Sequence, residues 1–381
     1  MKKASLLALL LVGTLLLGAA SAYSSQENNE DRVDEHPSVI VRAKVLAVSP
    51  YEEIKDDWYY NGKQQVVVEV MRGRFQGQTY EIDNYFTGIS YQDMPIKEGD
   101  QVLLLMELDG SRVLSVQLYE YGRDRYLYIL LGLFVAVTIL IAGTKGLKAL
   151  LALLFAGAVV MLGMLPLILQ GRNPYIVTLL ASALIAVFSL VLYGGFTARS
   201  LAAIAGTLGG EVGAVLTAFL FGHATRLTGF NADVEMLFSW GMPTNLDLRG
   251  LLIAGFIICS LGAVIDLSQS ISASVFDFRR SNPLLTFKGL FIAGFRSGKD
   301  KLARTLTVIM LAFAGVAMPL LLLFAAREMS YLNIANLDMI ATETVRAMAS
   351  GFGLLAAAPV AAAAAAFLAS KGLDSKKTGR V

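Results

Sequence analysis

The run Tyr126-Leu127-Tyr128-Ile129-Leu130-Leu131-Gly132-Leu133-Phe134-Val135-Ala136-Val137-Thr138-Ile139-Leu140-Ile141-Ala142 contains no charged side chain, and it divides the chain into two kinds of sequence. A helix needs about 20 apolar residues to cross the hydrocarbon core of a bilayer, so this run reads as a membrane span. Everything downstream repeats its composition. Everything upstream, from Gly122 back to the N-terminus, has a different one.

Downstream, long apolar runs alternate with short charged loops. Counting from the first, seven spans are expected: Tyr126 to Ala142, Ala149 to Leu169, Tyr175 to Phe196, Leu201 to Phe221, Leu251 to Leu267, Leu306 to Ala326 and Ala347 to Ser370. If the N-terminal part lies outside, the inward segments carry fourteen bases, among them Lys145, Arg199, Arg280 and Lys301, and the outward loops carry five. That asymmetry meets the positive-inside rule and puts the tail at 371–381 in the cytoplasm. The basic cluster Lys299, Lys301 and Arg304 is expected to face anionic lipid heads there. Leu284 to Phe295 is apolar but short and interrupted by Lys288, which fits an interfacial or re-entrant segment better than a span.

Upstream, Lys2 and Lys3 precede an apolar run from Leu6 to Leu17 and the small-x-small sequence Ala20-Ser21-Ala22, the form of a secretory signal over residues 1–22. An acidic, polar stretch within 23–37 reads as a linker. Residues 38–122 then show period-two alternation: Val39 to Val45, Val66 to Val70, Tyr80 to Phe86, and Val102 to Met106 joined to Val113 to Leu118 across a turn at Asp109-Gly110. Five short strands suit a small all-β barrel or sandwich of OB-like shape, exported by the signal. Its aromatics, Trp58, Tyr59, Tyr60, Tyr80, Tyr85, Phe86 and Tyr91, are expected to fill a core that has no disulfide, with a binding face as the alternative. Residues 23–125 hold 19 acids against 11 bases, a net of −8, leaving +10 for the rest: an acidic domain precedes a basic membrane domain over 126–370. The fold expected is thus an α-helical polytopic membrane protein of about seven spans behind an exported β domain.

The chain is 55% hydrophobic and 16% charged, against roughly a quarter charged for a soluble domain. A net charge of +2 gives no electrostatic footprint for nucleic acid. One cysteine, Cys259, and two histidines, His36 and His223, remove the material for an internal disulfide, a cysteine zinc cluster and most catalytic triads, so no enzyme, metal or cofactor is expected.

Glu211 is the most informative residue, because it falls in the middle of the fourth expected span, where a carboxylate is costly unless it faces a cavity or a partner. It is read either as an ion or proton site or as a neutral acid hydrogen-bonded for packing. On the same helix Gly206, Gly209, Gly210 and Gly213 share one face and form a seam for close helix packing. If the fifth span continues as helix, Asp266, Gln269, Ser270, Ser274 and Asp277 share another face, a polar stripe that suits ion or proton movement or is simply the wet side of a juxtamembrane helix. Asp300 stands among three bases as an ion-pair partner or a further pathway acid. Pro319 and Pro359 fall inside spans, where each removes a backbone hydrogen bond.

Four stretches carry a resemblance. They are Arg226 to Phe230 followed by Asp233 to Leu237; Gly262 to Asp266 with the serines up to Ser274; Ala293 to Asp300; and Leu311 to Gly315 leading to Pro319. In this order and spacing the chain resembles the YibE/F-like family of integral membrane proteins. Where that family often reads G-x-D-I-x-G-T-M-x-N-T-L, this chain has Lys301, Ala303, Arg304 and Thr307, a departure that weakens any carried-over role for an intramembrane asparagine. The resemblance implies an architecture and little chemistry. From the residues, the expectation is a permease for an ion or small solute in the cell membrane. The alternative is a sensory or scaffold protein whose exported domain binds a ligand, with a homo-oligomer or a membrane partner protein compatible with either.

Overall fold

A computed structural model describes residues 38–372 apart from 56, 90–92, 111, 231–233, 235–245 and 328. The expected signal, linker and most of the tail lie outside the described residues, as do Tyr91 and most of the Asp233 to Leu237 stretch. The described residues fall into two compact units that divide between Ile141 and Ala142.

The first unit is a curled antiparallel sheet of β1 (Ser38–Val48), β2 (Glu52–Glu53), β3 (Gly62–Val70), β4 (Thr79–Phe86), β5 (Gln101–Asp109) and β6 (Arg112–Tyr121). The strands run in the order β2-β3-β1-β5-β6, and β4 pairs with the other side of β3. The five alternating runs of the sequence are β1, β3, β4, β5 and β6. Their registers set Val45 opposite Val68, Ala43 opposite Val102 and Val41 opposite Leu104. Every second side chain therefore turns inward, and Val41, Ala43, Val45, Val66, Val68, Val70, Val102, Leu104 and Met106 form one core with Phe75 and Ile96. Register shifts at Val45/Ala47, Leu103/Leu104 and Glu107/Leu108 add local twist, and β4 and β6 touch, which curls the sheet toward a barrel. Between β5 and β6 the chain reverses with Gly110 at φ 59°, a backbone region that glycine enters without a Cβ penalty.

β6 passes into α1 (Asp124–Ala158) through Gly122 and Arg123 alone. The helical region continues with a π-helical stretch at Val159–Met164, α2 (Leu165–Leu169), α3 (Pro174–Gly194), α4 (Ala198–Ala224), α5 (Leu248–Ser281), α6 (Phe287–Val316), α7 (Met318–Arg327), α8 (Tyr331–Ala335) and α9 (Asp338–Ser370). The caps follow the sequence: Asn173, Thr197, Asp247 and Thr286 each accept a backbone N–H of the first helical turn. The π-helical stretch ends where the Leu165 N–H donates to the Val160 carbonyl, one residue before Pro166, which has no N–H to donate.

Five helical segments among the described residues are long and apolar enough to cross a membrane, or six if α6 and α7, bent by 60°, count as one. The sequence expects about seven. The lower count arises because Asp124–Leu169 is counted as one segment of 46 residues, although Gly143 (φ 54°, ψ −133°) breaks it into two helices at the end of the first expected span. Their connector, Thr144 to Lys148, holds no proline and stays helical. Leu284 to Phe295, read as interfacial or re-entrant, is largely helical. Most of it is the first part of α6, where Leu290 is fully buried and Gly294 and Gly298 lie against Val275 and Ile271 of α5. The α6–α7 bend falls at Ala317, beside Pro319, whereas α9 continues through Pro359.

Candidate functional site

α4, α5 and α9 pack against one another, with α3 against α4 and α5 and with α6 against α5 and α9. The contacts of the α4 glycines fix the register. A Cβ on Gly206 would run into Ala361 and lie 3.1 Å from Ser268 Oγ; on Gly210 it would lie 2.7 Å from Val264 and 2.8 Å from Ala357; on Gly213, 2.6 Å from Ala356. Gly209 meets Val360 at 2.8 Å. No side chain fits at these distances, so the alanine-rich face of α9 and the glycine face of α4 approach backbone to backbone.

Glu211 stands one residue beyond Gly210 and therefore projects about 100° away from the seam. It is 0% exposed, and neither carboxyl oxygen has a hydrogen-bond partner among the described residues. Because Gly210 faces Val264, the antiparallel register sets Ser268 of α5 one turn to one side of this level and Ser260 one turn to the other, each about 6 Å along the axis. Ser272 follows one turn beyond Ser268. Ser260, Ser268 and Ser272 are all fully buried. The Ser260 hydroxyl donates to Ile257 O at 3.0 Å and Thr207 to Ala203 O at 2.9 Å. Ser268 Oγ, Ser272 Oγ, Ser350 Oγ on α9, and Thr178 Oγ1 and Ser182 Oγ on α3 have no partner among the described residues. An unmade hydrogen bond at a buried group costs about 1–3 kcal/mol, so alanine at these positions would pack at least as well. The interior of α3, α4, α5 and α9 thus holds a carboxylate and several hydroxyls that its own packing does not use.

The stripe read from the sequence lies elsewhere. α5 is indeed helical through Ser281, but Asp266 is exposed and accepts from Lys301 Nζ of α6 at 2.8 Å. Asp277 is exposed and accepts from Arg199 of α4 at 2.7 Å. Ser270 and Ser274 are half-buried; the Ser274 hydroxyl donates to Ser270 O at 3.1 Å and receives Ser297 Oγ at 3.3 Å. Asp300 is exposed, and the cross-helix ion pair of its cluster is made by Lys301. The structure therefore does not bring Asp266, Ser270, Ser274, Asp277 and Asp300 together with Glu211. The fully buried hydroxyls of α5, Ser260, Ser268 and Ser272, stand on the opposite face of that helix. Their spacing of i, i+8 and i+12 was the available sign.

In the sheet unit, Phe86 is in the core, but Trp58 is 94% exposed and Tyr59 and Tyr85 are close to half exposed. Trp58, Tyr59, Tyr60 and Tyr85 follow one another with ring centroids 5.5, 4.9 and 4.9 Å apart. Asp57 holds the turn by accepting the N–H groups of Tyr59 at 2.8 Å and Tyr60 at 3.1 Å, which draws its carboxyl below the ordinary carboxylate range. Core filling thus accounts for Phe86 and not for this ladder, whose β2–β3 loop carries it outward.

No curated protein matches the chain, and no solved structure does. Two family models match: residues 40–121 fit the YibE/F family N-terminal domain, and residues 130–371 fit the YibE/F-like protein model. The first coincides with the sheet and the second with the helical region from α1 to α9, so the chain belongs to the YibE/F-like family.

Proposed function

We propose that the helical unit is a permease-like path for an ion or small solute, with the Glu211 carboxylate as the group the cargo meets in the interior. One observation carries this reading: a fully enclosed carboxylate with neither oxygen hydrogen-bonded among the described residues, between levels of α5 that carry buried serines. In lipid such a group persists where it has a role beyond packing. The second half of the reading is placement. The excess of loop bases on one side supports an external sheet unit and a cytoplasmic C-terminal tail.

The test is reconstitution of the full chain in liposomes and a screen of proton, alkali-cation and small-solute flux. Flux that Glu211→Gln abolishes, at unchanged expression and melting temperature, supports the reading. Flux equal in both proteins, or none above protein-free liposomes, overturns it. A second reading, a sensory or scaffold protein whose outer domain binds a ligand, is favoured by the exposed Trp58 to Tyr85 ladder, since aromatic rings held in water recur at binding surfaces.

A further inference from the structure

The sheet unit holds a cleft of about 410 Å³ lined by Arg42 on β1, Arg72 and Arg74 in the β3–β4 connection, and the apolar side chains Val39, Ile40 and Phe75. Three arginines at one cleft stand out in a stretch whose net charge is −8. Their arrangement is fixed by the backbone: Met71 N–H donates to Arg42 O at 2.8 Å, which lays the β3–β4 connection over β1. The Arg74 guanidinium lies 5.9 Å from the Phe75 ring centre. Beside the bases, Val39 and Ile40 are 40% and 51% exposed, so the cleft offers cationic donors and an apolar wall together. That combination recognises an amphiphile with an anionic head.

The source of the amphiphile follows from one ion pair. Arg42 binds Asp124, the first residue of α1. Two residues later Tyr126 is 73% exposed, and Tyr128 and the apolar side chains up to Ile141 follow it in exposure. Tyrosine at the start of an apolar helix marks the headgroup level of a bilayer. The cleft is therefore tethered at the level where α1 enters lipid, within reach of the headgroups of that leaflet.

We propose that this cleft binds an anionic phospholipid, with its phosphate on Arg72 and Arg74 and its glycerol and upper acyl region against Val39, Ile40 and Phe75. Arg42 holds the cleft to the helix start. This site is independent of any role of Glu211.

The experiment uses the full chain in vesicles of phosphatidylcholine doped with a photoactivatable phosphatidylglycerol or, in parallel, a photoactivatable phosphatidylcholine, with crosslinks mapped to peptides. Expected is labelling of peptides containing Val39 to Arg42 or Arg72 to Phe75 by the phosphatidylglycerol probe and not by the phosphatidylcholine probe. The double variant Arg72→Ala/Arg74→Ala should lose that labelling by about fivefold for each arginine removed. Arg72→Lys/Arg74→Lys should retain most of it, which separates loss of charge from loss of fold. Equal labelling by both probes, labelling unchanged in the alanine variant, or complete displacement by inorganic phosphate, which would make it a site for a free anion, would each overturn the proposal.

Discussion

Lys301 Nζ on α6 donates to Asp266 Oδ1 on α5 at 2.8 Å, so an acid that the sequence offers to a pathway also ties two helices together. The Asp266 side chain is 63% exposed, and surface ion pairs of this kind contribute about 1 kcal/mol or less. Asp266→Asn is therefore expected to lower the melting temperature only slightly and to leave flux intact. In the same assay Glu211→Gln should abolish flux. Flux lost in Asp266→Asn at normal stability would return the stripe to the pathway.

The α4–α9 seam predicts a steep size dependence. Gly210→Ala sets a methyl group against Val264, Ala357 and the Gly353 carbonyl, all within 3 Å of it, and should cost about 1–3 kcal/mol. Gly255→Ala on α5, where nothing lies within 4 Å, should be neutral or slightly stabilising, since alanine is the better helix former. Thermal unfolding of the two variants in one detergent reads the difference directly.

Ser268 and Ser272 separate packing from function by the sign of the change. Removing a buried hydroxyl without a partner relieves a cost, so Ser268→Ala/Ser272→Ala should be as stable as the parent or more so, by up to about 1 kcal/mol for each site. If the hydroxyls serve the Glu211 path, flux falls in the same protein. Stability gained with flux unchanged would restrict the path to Glu211 and α3.

A pH dependence is expected at the aromatic ladder. The carboxyl of Asp57 is lowered by the N–H groups of Tyr59 and Tyr60, so its contribution is fully present above the ordinary carboxylate value and is lost as pH falls through its lowered one. Amide exchange at Tyr59 and Tyr60, referenced to the core amide of Val68, should rise in that acidic window. Asp57→Ala should show the raised exchange at neutral pH as well. Exchange in the parent that stays flat on acidification would remove Asp57 as the holder of the turn.

Much of the architecture was legible because two periodicities carry it. Alternation at Val41, Ala43 and Val45 and at Val102, Leu104 and Met106 names both the strands and the face that is buried. Apolar length names the spans. What was not legible depends on partners remote in sequence. Trp58 has the composition of a core residue, but the β2–β3 loop carries it into solvent. For the site, Glu211 was legible because a lone acid in an apolar run stands out. Ser268 was not, since the serines Ser268, Ser270, Ser272 and Ser274 alternate between buried and half-buried positions, and only the Gly206 contact shows which pair turns inward.

The backbone contact between α4 and α9 also sets an order of assembly. α4 is synthesised well before α9, and α5, α6 and α7 emerge between them. Until α9 docks, the glycine groove of α4 is covered only in part, by Val264 and Ser268 of α5, and lacks the row Gly353, Ala357 and Ala361 that closes it. The α4–α9 seam is thus completed late in biogenesis, so a chain arrested after α7 would leave the glycine face of α4 without its partner, a state suited to recognition by quality control.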